Sequence, residues 1–64
     1  SKMRSIEEII KEVNKIFPKI NYQILSIDNS ILIQCNIRAP YFQKEILKKY
    51  AIKNNYEFIE KVFE

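Results

Sequence analysis

Apolar residues recur at Ile6, Ile9, Ile10, Val13, Ile16 and Phe17, the three-and-four spacing of one helix face. Ser5-Ile6-Glu7-Glu8 stands in front of them as a capping box: the Ser5 hydroxyl can accept the third helical N–H while Glu8 reaches back to the Ser5 N–H. Glu7, Glu8, Lys11, Glu12 and Lys15 fill the other side, with Glu7 and Lys11 in the favourable order four apart. Pro18 disfavours helical backbone at Phe17. The pattern predicts a first helix from Ser5 to Phe17.

The period then changes to two. Ile20–Ile27 and Ser30–Arg38 read as strands, joined by Asp28 and Asn29, both tolerant of left-handed turn conformations. In the second run Ile31, Ile33, Cys35 and Ile37 alternate with Leu32, Gln34, Asn36 and Arg38. The first run is ambiguous alone, but a two-residue loop sets Ile20, Tyr22, Ile24 and Ser26 on the face of Ile37, Cys35, Ile33 and Ile31. Leu25 then lies opposite Leu32, Gln23 opposite Gln34 and Asn21 opposite Asn36. Both faces become chemically consistent, and a one-residue slip would scramble them.

Pro40 suits the first position of a second helix, whose apolar stripe is Phe42, Ile46, Leu47, Tyr50 and Ala51. Asn54-Asn55 offers a left-handed end where glycine is more usual. A last strand covers Tyr56–Phe63, with Tyr56 and Phe58 toward the core. The strand–helix–strand step predicts a parallel pairing, and the third strand can lie beside either of the first two. The expected fold class is α+β: a single αββαβ domain over residues 5–64, a three-stranded mixed sheet with both helices packed on one face. Residues 1–4 are expected to be a disordered or cloning-derived N-terminal tail.

Composition narrows the chemistry. Hydrophobic residues make up 47% of the 64, thirteen of them isoleucine, which is enough for a core. A chain of this length buries only about 60% of its unfolded surface, so it depends on good packing or on a partner. It has one cysteine, Cys35, and no histidine or glycine. An intrachain disulfide is therefore excluded, the commonest metal ligand and general base is missing, and no glycine-rich phosphate loop can form. Cys35, on the isoleucine face, reads as a small core hydrophobe. No enzymatic activity, cofactor, metal site or small-molecule substrate is expected. The longest run of Ile, Leu, Val or Phe, Ile31–Ile33, is far too short to cross a bilayer. The single cysteine fixes no compartment.

Two surfaces remain as candidates. The sheet face opposite the core carries Leu25, Ile27, Leu32, Gln34 and Ile59, an apolar group among polar neighbours of the kind that marks a protein interface or a homo-oligomer contact. A three-stranded sheet also leaves free strand edges. The alternative is nucleic acid: Arg38, Lys44, Lys48, Lys49 and Lys53 form a basic surface on and before helix 2, within a net charge of +3. Tyr41, next to Arg38, could stack a base, whereas Phe42 is assigned to the core.

The segment Ile20–Glu64, with its hairpin Ile24-Leu25-Ser26-Ile27-Asp28-Asn29-Ser30-Ile31-Leu32-Ile33, then Ala39-Pro40-Tyr41-Phe42, the helix Gln43–Ile52 and Tyr56-Glu57-Phe58-Ile59, resembles the small ferredoxin-like or ring-building domains of bacterial secretion, pilus and sporulation assembly proteins. The likeness lies in element order and apolar positions. It implies an oligomerisation role, without catalysis, inside a larger membrane-associated assembly.

Overall fold

The computed structural model describes residues 4–63, so the expectation for residues 1–3 and for Glu64 lies outside the described residues. Helix α1 (Ile6–Asn14) is followed by a 3-10 turn (Lys19–Asn21), strand β1 (Tyr22–Ile27), strand β2 (Ser30–Asn36), helix α2 (Tyr41–Lys53) and strand β3 (Glu57–Lys61). The class is α+β, with two helices and a three-stranded mixed sheet in the order β1-β2-β3. β1 pairs antiparallel with β2, and β2 pairs parallel with β3.

Local chemistry accounts for each element. Ser5 Oγ accepts from the Glu8 N–H at 3.2 Å and Glu8 Oε1 accepts from the Ser5 N–H at 3.4 Å, closing the capping box. The hairpin turns on Asp28 (φ 49°) and Asn29 (φ 65°), the positive values a two-residue loop of right-handed twist requires. Its register is the one the alternation predicts: Tyr22 faces Cys35, Ile24 faces Ile33 and Leu25 faces Leu32. α2 ends in a Schellman motif. Tyr56 N–H donates to Ala51 O at 2.8 Å and Asn55 N–H to Ile52 O at 3.1 Å, with Asn55 left-handed at φ 62°.

One buried cluster joins Ile9, Val13 and Phe17 with Tyr22 and Ile24 of β1, Ile31, Ile33 and Cys35 of β2, and Ala39, Leu47 and Ala51. Ile6, Ile10, Tyr50, Tyr56 and Phe58 pack against it.

Several expected boundaries and core positions are corrected. α1 stops at Asn14, where the bonds tighten to three-residue spacing: Lys15 N–H donates to Glu12 O at 3.4 Å and Ile16 N–H to Val13 O at 2.9 Å. Ile16 falls in this turn and is exposed, since helical spacing no longer aims it. Ile20 is 75% exposed: the 3-10 turn folds back through Asn21 N–H to Pro18 O, so alternation starts only at Tyr22. β2 ends at Asn36, whose side-chain oxygen accepts the Arg38 N–H and whose carbonyl accepts the Ala39 N–H. That turn swings Ile37 out and buries Ala39 instead. Pro40 is the cap of α2 rather than its first residue. Phe42, assigned to the core, is 63% exposed, and Ile46 is exposed as well. The helix seats itself on Leu47 and Ala51; at ~100° per residue Phe42 lies about 140° around the axis from Leu47.

Candidate protein-interaction surface

Because β1 and β2 register through Leu25–Leu32 and Gln23–Gln34, and β2 and β3 through Gln34–Ile59, the residues Gln23, Leu25, Ile27, Leu32, Gln34 and Ile59 share the face opposite the buried cluster. Leu25 is 37% exposed, Ile27 49% and Ile59 43%; Leu32 is half-buried. Gln34, at the centre, is only 9% exposed. Gln23, Lys61, Val62 and Phe63 line a hollow of 190 Å³. Alternation from Ile59 through Lys61 already sets Phe63 on this side; Val62, on the other parity, lines the hollow because β3 ends at Lys61.

The polar ring around this face is narrower than expected. Asn36 Nδ2 donates to Asn21 Oδ1 at 3.5 Å, and Asn21 Nδ2 donates to Gln43 Oε1 at 3.1 Å. Both asparagines are thus engaged by one another and by the first turn of α2.

At the margin of β1 lies a second hollow, of 320 Å³, lined by Ile10, Lys19, Tyr22, Gln23, Ile24 and Leu25. Four consecutive strand residues line it although their side chains alternate between faces. The hollow therefore runs along the strand's free edge, beside its main chain, with Ile10 of α1 forming one wall.

The basic candidates are split. Lys44 Nζ sits 3.2 Å from Glu60 Oε1 and donates to Ile37 O at 3.1 Å, so its charge is already partnered. Arg38, Lys48, Lys49 and Lys53 are exposed. Tyr41 is exposed beside them, and so is Phe42, which the sequence pattern assigned to the core.

Away from both surfaces, a polar network ties the start of the chain to α2. The Arg4 guanidinium donates twice to the Glu12 carboxylate, at 3.1 Å each, and Tyr50 Oη donates to Glu12 Oε1 at 2.5 Å. Arg4, placed in the N-terminal tail by the sequence pattern, is thus ion-paired. Hydrogen bonds from Arg4 and then Tyr50 hold the Glu12 carboxyl below the usual carboxylate range. Burial, and then the Glu12 bond, push the Tyr50 phenol up to about 12; burial also raises the Tyr22 phenol, whose hydroxyl donates to Asn14 Oδ1. A phenol that holds its proton more tightly when folded adds stability below its ordinary value and loses it as pH climbs toward 12. The urea midpoint is therefore expected to fall between about pH 10 and pH 12. In Tyr50→Phe this alkaline fall should be shallower. An unchanged slope in that variant would show that ionisation of Tyr50 is not coupled to folding. The Glu12 contribution is present above the ordinary carboxylate range and is lost in acid as pH falls through its lowered value.

Cys35 is buried and its thiol is raised by burial first and Glu60 second. Among the described residues no three His, Cys, Asp or Glu side chains gather as a metal site would need, and no helix is long and apolar enough to cross a membrane. Comparison with protein-family models, with curated proteins and with solved structures gives no match.

Proposed function

We propose that this chain is a non-catalytic protein–protein interaction or oligomerisation module, a single αββαβ domain whose two helices cover one sheet face and leave the other open. It associates through that face and through the free edge of β1. The carrying observation is that Leu25, Ile27 and Ile59 remain more than a third exposed on one face, with half-buried Leu32 directly opposite Leu25 and diagonal to Ile27 and Ile59. Apolar area held in water in this way is removed by association, at about 25 cal/mol per Å². The same reading accommodates the resemblance to ring-building domains, in which such modules assemble into larger machines.

The test is sedimentation equilibrium across the micromolar-to-millimolar range. The chain is expected to exceed its monomer mass of 7.7 kDa, and Leu25→Asp should weaken the association about tenfold or more while the circular dichroism spectrum stays native. Equal masses for the two proteins at every concentration would count against self-association through this surface. A second reading is favoured by exposed Tyr41 and Phe42 at the start of α2, just after exposed Arg38 and on the helix that carries exposed Lys48, Lys49 and Lys53: stacking and phosphate contacts to single-stranded nucleic acid. Salt-sensitive binding of labelled single-stranded DNA that survives Leu25→Asp but not Lys48→Glu/Lys49→Glu would move the function to α2.

A further inference from the structure

Resting on that reading, we infer that the occupant of the β1 edge is β1 of a second copy, laid antiparallel about Ile24 so that two three-stranded sheets become one.

The two edges of the sheet differ. β3 carries Glu57, Glu60 and Lys61 within five residues, whereas β1, Tyr-Gln-Ile-Leu-Ser-Ile, has no charge and no proline. Edge strands are ordinarily guarded against pairing by charge, proline or a bulge; β3 has such a guard and β1 lacks it. Across a two-residue hairpin Ile27 and Ser30 form the first hydrogen-bonded pair. Gln23, Leu25 and Ile27 therefore turn their main-chain groups to β2, and Tyr22, Ile24 and Ser26 turn theirs outward. The Tyr22 N–H is taken by Lys19 O. Among the described residues the outward N–H groups of Ile24 and Ser26 have no main-chain partner.

A second β1 fits this edge in one direction. With the two-fold axis at Ile24, each Ile24 N–H meets the other copy's Ile24 carbonyl, and each Ser26 N–H meets the other copy's Tyr22 carbonyl. Both free donors of each copy are satisfied, and the donor already spent on Lys19 leaves none orphaned. Charge selects the same direction. Lys19 lies before the strand and Asp28 just after it, and neither forms an ion pair among the described residues. Antiparallel pairing brings Lys19 of each copy to the Asp28 end of the other; parallel pairing would set lysine against lysine. Exposed Ile20 likewise comes to the Ile27 end of the other copy, and the Ile10-walled hollow closes over the joint.

In this arrangement position 23 of one copy faces position 25 of the other as a non-hydrogen-bonded pair, with Cα atoms about 4.5 Å apart, within disulfide reach. Air oxidation of Gln23→Cys/Leu25→Cys is expected to give a covalent dimer of twice 7.7 kDa. In sedimentation equilibrium Ser26→Pro, which removes an outward N–H and no ladder bond, should become monomeric, and Leu32→Asp should keep the dimer. A dimer lost in Leu32→Asp and kept in Ser26→Pro would overturn edge pairing but leave the interaction module standing, with face-to-face contact in its place. No covalent dimer from the double cysteine variant, or a wild type that is monomeric to millimolar concentration, would overturn the second copy as occupant even if Ser26→Pro fails to fold.

Discussion

Ile33→Ala is expected to remove a large share of the protein's folding stability, about 2–5 kcal/mol. Ile33 is completely buried on the central strand, between Ile24 across the antiparallel ladder and Phe58 across the parallel one. Removing its buried methyl and methylene groups leaves a cavity that neighbours on two strands and two helices cannot all close, at a cost of about 2–5 kcal/mol. At roughly 0.05–0.15 kcal/mol per residue, a domain of this length has about 3–10 kcal/mol in all, so the loss is a large share of it. Leu32→Ala, one position away and half-buried on the opposite face, should cost about 1 kcal/mol or less. Urea denaturation followed by circular dichroism compares them. Equal losses, or a larger one at Leu32, would mean that β2 is displaced by one residue, because a single-residue slip exchanges the two faces.

Cys35 should resist thiol reagents until the domain opens. Its side chain is 1% exposed on the core face of the central strand, and burial with the Glu60 carboxylate nearby keeps the thiol protonated. The thiolate is the reactive form, so a native molecule offers neither access nor the reactive species. Labelling with an aromatic disulfide is expected to run about a thousandfold slower than in urea, following the population of the open state. In Ile33→Ala most of that protection should vanish. Rapid labelling of the native wild type would show that the sheet opens locally at β2, which the packing described here does not allow.

What the sequence displayed clearly is what depends on neighbours in the chain. Ser5 and Glu8 are three apart, and the hairpin loop has two residues, so capping and register follow from spacing. Leu25, Ile27, Leu32, Gln34 and Ile59 share a face for the same reason. The errors gather where a turn breaks a period. Ile16, Ile20 and Ile37 continue an apolar pattern beyond the element that gives it meaning, and each is exposed. Phe42 and Ile46 belong to a helix whose apolar residues encircle it, so only tertiary packing selects Leu47 and Ala51 as the seat. Contacts between distant segments had no signal at all: Lys44 meets Glu60 because the parallel β2–β3 register places Glu60 beside Cys35, and Tyr50 reaches Glu12 across 38 positions. The exposed margin of β1 could be read only once β3 was placed beside β2, leaving β1 at the edge.

The central claim is that this domain meets its partner through the β1 edge, with Leu25 and Ile27 of the open face flanking the joint. The most direct measurement is a dilution series of ¹⁵N–¹H spectra of the chain from millimolar to micromolar concentration. The predicted result is that amide signals of Gln23, Ile24, Leu25, Ser26 and Ile27 move most, those of Leu32, Gln34 and Ile59 less, and those of Arg38, Lys48, Lys49 and Lys53 stay fixed. Spectra that do not change with concentration, or that change at α2 instead, would contradict it.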